Sequence, residues 1–294
     1  MPSAPESPVP QNPDDAAHAA SQLTAVVVSH DSGGCLIDCV NDLLAQQMPL
    51  DVVVVDNASR DGAPDRLPAD ARVRVVKNPD NRGFAVACNQ GAALAGAARL
   101  LFINPDCRLA PDAVPELCRR LDATPQLGIL GADLRNADGS AQAAARRRTP
   151  LPMRAIGELL GRNTTAEAVE VDGLIDVEAT SGALMLMPRA LFQQLGGFDE
   201  GYVLHCEDLD LCRRVLDAGW RIAVDTSVPV THLKGTSSRR RPVWVEWQKH
   251  RGMWRYFQRF DAATSPWWLR LLVPLGITVH FPLAALRALW KSRS

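Results

Sequence analysis

The sequence has almost no net charge. Its 32 Lys and Arg residues oppose 33 Asp and Glu, leaving a formal value of -1. That balance excludes the broadly basic surface that gives general affinity for nucleic acid. Cysteine is present without a pattern. The seven residues (Cys35, Cys39, Cys88, Cys107, Cys118, Cys206, Cys212) are odd in number and form no CxxC pair. Thiols scattered over expected helices and strands behave as small hydrophobes, which places the chain in the reducing cytosol. The N-terminus has neither a basic start nor an apolar run, so no signal peptide is expected there. Residues 1–21, rich in Pro, Ser, Ala and Asp, hold too little apolar surface to order themselves and are read as a disordered leader.

After the leader come short apolar runs alternating with helical stretches. Thr24–Ser29, Asp51–Asp56, Val73–Val76 and Leu100–Ile103 read as strands. Helices are expected around Leu36–Gln46 and from Phe84 to Ala97. Continuous apolar strands separated by helices predict an α/β fold, with a mostly parallel sheet covered on both faces. Ligands of such sheets bind beyond the carboxyl ends of the strands. Residues 132–175, with little periodicity, read as loops and short strands beside a cleft. A strand over Ala179–Met187, a short helix from Pro188 and a last core strand over Trp220–Val224 complete the pattern.

Acidic residues mark the expected ligand edge. Asp56 ends the second strand and is followed by Asn57 and a polar turn, a place to meet a nucleobase edge or a ribose hydroxyl. The same residues are also good turn chemistry. Asn81-Arg82-Gly83 forms another turn, with Asn81 a candidate cap for the helix after it. Asp106 follows the fourth strand in Asn104-Pro105-Asp106, and a strand-end carboxylate suits a hard divalent cation shared with phosphate oxygens. Glu207-Asp208 opens a helix whose buried side is Leu209, Leu211, Val215 and Leu216. Carboxylates there favour the helix dipole, so simple capping is the alternative. His232, after an apolar strand, is a candidate ligand beside the acids.

The chain's end differs from the rest. From Ser237 onward eleven basic residues face only Glu246 and Asp261, which points to an anionic partner. Trp267–Trp290 is apolar but interrupted by Pro274, His280, Pro282 and Arg287. A spanning helix needs about 20 apolar residues. The paired tryptophans and flanking cations fit a helix lying in a membrane interface better; a C-terminal core helix is the other reading.

Taken in order, several motifs resemble the family 2 glycosyltransferases of GT-A fold, most closely the bacterial rhamnosyltransferase-like branch. They are Val-Val-Val-Ser-His (26–30), Val-Asp-Asn-Ala-Ser-Arg-Asp-Gly (55–62), Asn-Arg-Gly-Phe-Ala-Val-Ala-Cys-Asn-Gln-Gly (81–91), Asn-Pro-Asp (104–106), Ser-Gly-Ala (181–183), Gly-Gly-Phe-Asp-Glu (196–200), Glu-Asp-Leu-Asp-Leu-Cys-Arg-Arg (207–214) and His-Leu-Lys-Gly-Thr-Ser (232–237). The resemblance implies a Rossmann-like mixed, mostly parallel sheet flanked by helices over 22–240, with a helical, basic, membrane-associating extension over 241–294.

It further implies an inverting transfer of one sugar from a nucleotide-sugar donor to a hydroxyl of a saccharide or lipid-linked acceptor, for cell-envelope glycan synthesis. Asp208 matches the general base, with Glu207 beside it. Ser29, Asp56, Asn57, Arg82, Asn104, Asp106, Ser181 and Gly182 match the donor site. Asp106 and His232 match the ligands of Mg²⁺ or Mn²⁺. The family's common Asp-x-Asp is here Asn104-Pro105-Asp106, lacking the first carboxylate, with His232 as the compensating ligand. Arg82 and Arg239–Arg241 are further candidate phosphate contacts. The branch suggests dTDP-L-rhamnose as donor and the inner face of the cytoplasmic membrane as location. The alternatives are a UDP- or GDP-linked sugar, or an inactive nucleotide-binding regulator. A processive synthase is disfavoured, since its Gln-x-x-Arg-Trp motif and several membrane helices are lacking.

Overall fold

A computed structural model describes residues 22–150, 170–233 and 242–291. The leader at 1–21, the stretch 151–169 and the arginines Arg239–Arg241 lie outside the described residues. The valine-rich runs form the parallel strands β1 (Leu23–Ser29), β2 (Asp51–Asp56), β3 (Val73–Lys77) and β4 (Arg99–Ile103). Successive strand residues point to opposite faces, and both faces here are covered. Ala25 and Val27 of β1 pack with helices α1 (Gly34–Leu44) and α3 (Ala113–Ala123). Val26 and Val28 pack with α2 (Phe84–Ala93) and α5 (Glu207–Asp217).

The remaining strands are β5 (Cys107–Arg108), β6 (Leu127–Arg135), β7 (Glu170–Val171), β8 (Leu174–Asp176), β9 (Leu184–Pro188) and β10 (Arg221–His232). The ten-stranded sheet runs β3-β2-β1-β4-β9-β6-β10-β8-β7, with β5 paired to β10. β9 lies antiparallel to both β4 and β6, so the sheet is mixed, as expected for this fold. A short helix α4 (Arg189–Gln194) follows β9.

Four expectations need correction. The helix begun at Phe84 stops at Ala93, not Ala97, where Leu94 and Ala95 bond three residues back. Gly96 lies just beyond, and glycine weakens a helix by about 1 kcal/mol relative to alanine. Asn81 does not cap that helix; Gly83 is the N-cap, and Asn81 Oδ1 accepts from the Gly83 N–H. The strand expected from Ala179 begins at Leu184, because Thr180–Ala183 bond to the cleft instead. The last strand runs to His232 rather than Val224. A register shift between Asp225 and Pro229 admits the proline, which has no N–H for a ladder.

The C-terminal region forms α6 (Pro242–Tyr256), a π-type turn over Phe257–Asp261 and α7 (Trp267–Lys291). Buried Tyr256 and Phe257 tie it to the core beneath α5. Gly252 of α6 lies so close that a Cβ there would meet Cys206 Sγ at 3.0 Å and the His205 carbonyl at 3.1 Å. Arg255 pairs with Asp199 at 2.9 Å, and Arg259 reaches buried Asp210 at 3.0 Å. α6 also packs on α7 through Trp247–Phe281 and a stacked His250–His280 pair.

As the expected helix over this stretch requires, α7 continues through Pro274 and Pro282. The Thr278 hydroxyl donates to the Pro274 carbonyl at 2.8 Å. Nor is α7 a core helix: Trp267, Leu271, Leu275, Val279, Leu286 and Trp290 are each more than half exposed. Trp267–Trp290 is long and apolar enough to cross a membrane, by length and composition.

Candidate active site

The acidic residues singled out in the sequence converge beyond the carboxyl ends of β1, β2 and β4. They form two neighbouring groups. In the first, the Asn57 N–H donates to the Ser29 carbonyl at 2.8 Å. The Asn57 side chain donates to the Gly83 carbonyl at 3.0 Å and accepts from Asn78 at 2.9 Å. Asn57 is therefore a buried brace between loops. Buried Asp56 accepts the Ser59 N–H through Oδ1 at 3.0 Å, and Ser29 Oγ donates to Ser32 at 3.1 Å. Arg82 stands exposed one residue before Gly83.

A hydrogen-bonded chain carries the second group across the cleft. The Asn104 N–H donates to the Ala183 carbonyl at 2.9 Å. Ser181 Oγ accepts the Ala183 N–H at 3.2 Å. The Gly182 N–H donates to Asp208 Oδ2 at 3.0 Å, and the Leu209 N–H donates to Asp208 Oδ1 at 2.8 Å. Asp208 is thus held by a loop outside its helix, which capping alone would not produce. The helix has no side-chain cap, and Cys206 before it sits in the left-handed region at φ 71°.

At the other end of that chain, β10 and β5 pair so that His232 stands opposite Cys107. His232 Nε2 then lies 3.2 Å from Asp106 Oδ1 and 3.4 Å from the Asn104 amide nitrogen. The other ring nitrogen, Nδ1, is 3.0 Å from Gln142 Oε1. The Gln142 amide nitrogen already donates to the carbonyls of His232 at 2.8 Å and Arg135 at 3.2 Å. Gln142 Oε1 must therefore accept, so Nδ1 carries a proton. In the neutral ring the Nε2 lone pair and Asp106 Oδ1 face each other closely enough to share one cation. The donor set fits a divalent cation that takes one carboxylate, one imidazole and ligand oxygens. Cys107 also lies within 4.8 Å, but burial raises its thiol well above the ordinary range, so no thiolate competes.

The two adjacent acids have opposite environments. Burial, reinforced by Asp208, pushes the Glu207 carboxyl well above the ordinary glutamate range, and Glu207 Oε2 has no partner among the described residues. Burial would raise Asp208 too. The charge of Arg147, with the Gly182 and Leu209 N–H groups, outweighs it and holds Asp208 below the usual aspartate range. One proton thus belongs to Glu207, and the negative charge to Asp208.

Two site residues were not identified from the sequence. Gln142 sits in the weakly patterned middle region and carries no motif. Arg147 belongs to the Arg146-Arg147-Arg148 run of the same region, where nothing local marks its partner. Arg146 instead pairs with buried Asp133 at 2.9 Å.

Known proteins resemble this chain in sequence and fold. The profile for glycosyl transferase family 2 matches residues 24–189. An N-acetylglucosaminyl-diphospho-decaprenol L-rhamnosyltransferase of Mycobacterium tuberculosis is 30% identical over 286 residues, covering 89% of this chain and 90% of that protein. Among solved structures, mannosyltransferase PcManGT from Pyrobaculum calidifontis, in complex with GDP-Man and Mn²⁺, superposes with a TM-score of 0.59 at 19% identity. That match covers 92% of this chain and 75% of the other. GalNAc-T7 with UDP, GalNAc and Mn²⁺ gives 0.56 at 18% identity, over 72% of this chain and 43% of the other.

Proposed function

The chain belongs to glycosyl transferase family 2 and is a glycosyltransferase, and from that premise we infer that it moves one L-rhamnosyl unit from dTDP-L-rhamnose to a lipid-linked saccharide with inversion. The observation that carries the chemistry is the hydrogen-bonded run from His232 through Asn104, Ala183 and Gly182 to Asp208. It sets a cation-binding pair and an ionised carboxylate on one cleft. The transferred sugar and the acceptor class are supported by the mycobacterial relative, whose name gives both.

The roles follow from the two groups of residues. Asp56 takes the nucleobase edge through the oxygen that Ser59 does not use, while Ser29 and Asn57 hold the loop around it. Arg82 faces the donor phosphates, and Ser181 and Gly182 border the transferred sugar. Asp106 and His232 hold Mg²⁺ or Mn²⁺, a choice supported by the Mn²⁺ in both structural relatives. Asn104, where the family commonly has an acid, adds an amide and no charge. When bound, the cation neutralises charge on the departing diphosphate. Asp208 accepts the proton of the acceptor hydroxyl as that oxygen bonds the anomeric carbon. The bond from the anomeric carbon to the diphosphate oxygen breaks in the same displacement, and its electron pair leaves with the nucleoside diphosphate. Glu207 stays protonated beside it.

Residues 22–240 act as the catalytic unit and 241–294 as an extension that rests on the inner face of the cytoplasmic membrane. This is supported by the exposed apolar face of α7 and by the lipid named in the relative's substrate. The test is Asp208→Asn. A positioned general base contributes about 10²–10⁴-fold, so rhamnosyl transfer should fall by at least about 100-fold. Thermal stabilisation by dTDP with Mn²⁺ should be retained. Undiminished transfer by D208N would refute the assignment. Stabilisation by UDP or GDP but not dTDP would reassign the donor.

A further inference from the structure

The arginine nearest the reacting carboxylate comes from a part of the chain with no family motif. Arg147 is anchored at its backbone: its N–H donates to the Ala179 carbonyl at 2.9 Å, and its carbonyl accepts the Ala179 N–H at 2.9 Å. That antiparallel bridge sets its side chain beside the Thr180–Ala183 turn. There Nη2 bonds both the Thr180 carbonyl, at 2.5 Å, and Asp208 Oδ2. The side chain is 28% exposed and Asp208 is 13% exposed, so water screens the pair poorly.

Among the described residues, the other titratable groups that bear on Asp208 are Glu207, His205, Cys206 and Cys212. Each is neutral at physiological pH. Burial, with Lys249 nearby, lowers His205 to about 4. Burial likewise pushes the Cys206 and Cys212 thiols up to about 12. Glu207 keeps its proton for the reason given above. The charge that opposes Asp208 is that of Arg147.

We propose that Arg147 is a positioning residue that fixes the negative charge of the Glu207–Asp208 pair on Asp208, keeping the general base ionised over the working pH range. The role rests on Asp208 being the base. Two carboxyls side by side in a low-dielectric site cannot both ionise cheaply. Backbone donors favour Asp208, since the Gly182 and Leu209 N–H groups point at it and, among the described residues, no other segment donates to Glu207. The guanidinium adds a full charge on the same side. Its second bond, to the Thr180 carbonyl, ties it to that turn.

The experiment is the pH dependence of kcat for wild type, Arg147→Gln and Arg147→Lys, with donor KM and Tm measured alongside. In R147Q the acidic limb should move up by at least one pH unit. Its kcat should be at least about tenfold below wild type on the acidic side of the limb and should recover that deficit at pH values above it, because one unit of pKa is tenfold in the ionised fraction. Donor KM should stay within about twofold. R147K, which keeps the charge, should hold the limb near its wild-type position, and it serves if R147Q does not fold. A loss of kcat that is constant with pH, or a loss expressed in donor KM, overturns the proposal and makes Arg147 a donor contact or a purely structural brace. An R147K limb displaced as far as that of R147Q overturns it too. D208N is assayed in parallel: if it retains transfer, the base assignment itself fails and this role fails with it, whereas an inactive D208N with an unmoved R147Q limb refutes only the role of Arg147.

Discussion

Replacing Gln142 tests the metal centre without touching a ligand. Gln142 makes three bonds there: it accepts the His232 Nδ1 proton at 3.0 Å and donates to two carbonyls, of His232 and Arg135. Gln142→Leu removes all three. Gln142→Glu loses the amide donors but keeps an acceptor for Nδ1, in either protonation state of the new carboxyl. The difference between the variants therefore isolates the bond that fixes the His232 tautomer. An outer partner of a metal-bound histidine typically accounts for 10–100-fold in affinity, equivalent to about 1.4–2.7 kcal/mol. Mn²⁺ binding to the protein with dTDP present, followed by the loss of the free-ion EPR signal, should therefore weaken at least about tenfold in Q142L relative to Q142E. The buried carbonyls left without a donor cost about 1–3 kcal/mol each, so Q142L should also melt earlier while remaining folded at 20 °C. Equal Mn²⁺ affinities for a folded Q142L and Q142E would refute the tautomer argument. An Mn²⁺ affinity of Q142L equal to wild type would remove His232 from the metal site.

Three other outcomes follow from features away from the metal. Glu207 keeps its proton in the folded state above the pH of about 4.3 at which a free glutamate ionises, so the unfolded state binds fewer protons and stability falls as pH rises through that window. The Tm advantage of Glu207→Gln over wild type should therefore grow from pH 5 to pH 7.5, and a constant difference would contradict the raised carboxyl. Gly91→Ala would put a Cβ 2.4 Å from Val26 Cγ1 between α2 and β1; overpacking of about 1–3 kcal/mol should exceed the helix-propensity gain and lower the urea midpoint. An unchanged midpoint would mean that the helix and strand part easily. Leu275→Glu with Val279→Glu alters two exposed positions of α7, so the fold should be unaffected while flotation with phosphatidylglycerol vesicles drops more than about 100-fold, from about 1.5–3 kcal/mol per buried side chain. Flotation equal to wild type would exclude α7 as the lipid contact.

The parts legible in the sequence are those that local pattern dictates. Apolar runs announced β2 and β4, and Asp56 and Asp106 lie at the carboxyl edge because strand ends place residues there. The reading weakened where a distant partner decides. Thr180–Ala183 look like strand residues, yet they turn to serve Asp208, Arg147 and Asn104. Trp220–Val224 announced only the first half of β10, since Pro229 hides a strand that continues past a register shift. Gln142 has no local signature, because its function exists only once His232 arrives beside it. For α7 the apolar run announced a helix, and it persists through both prolines.

The pairing of β5 with β10 also sets when the metal centre can come into being. Asn104 and His232 are 128 positions apart in the chain, and closing so long a loop is entropically unfavourable until the intervening strands have assembled. The centre therefore matures late, after the β1–β4 half of the sheet has formed. A nascent or truncated chain ending before β10 would present Asp106 without its imidazole partner, able to hold nucleotide only weakly. At the proposed metal site, capture of the cation would report completion of the fold, and its binding to the finished state would draw the last strand into place by mass action.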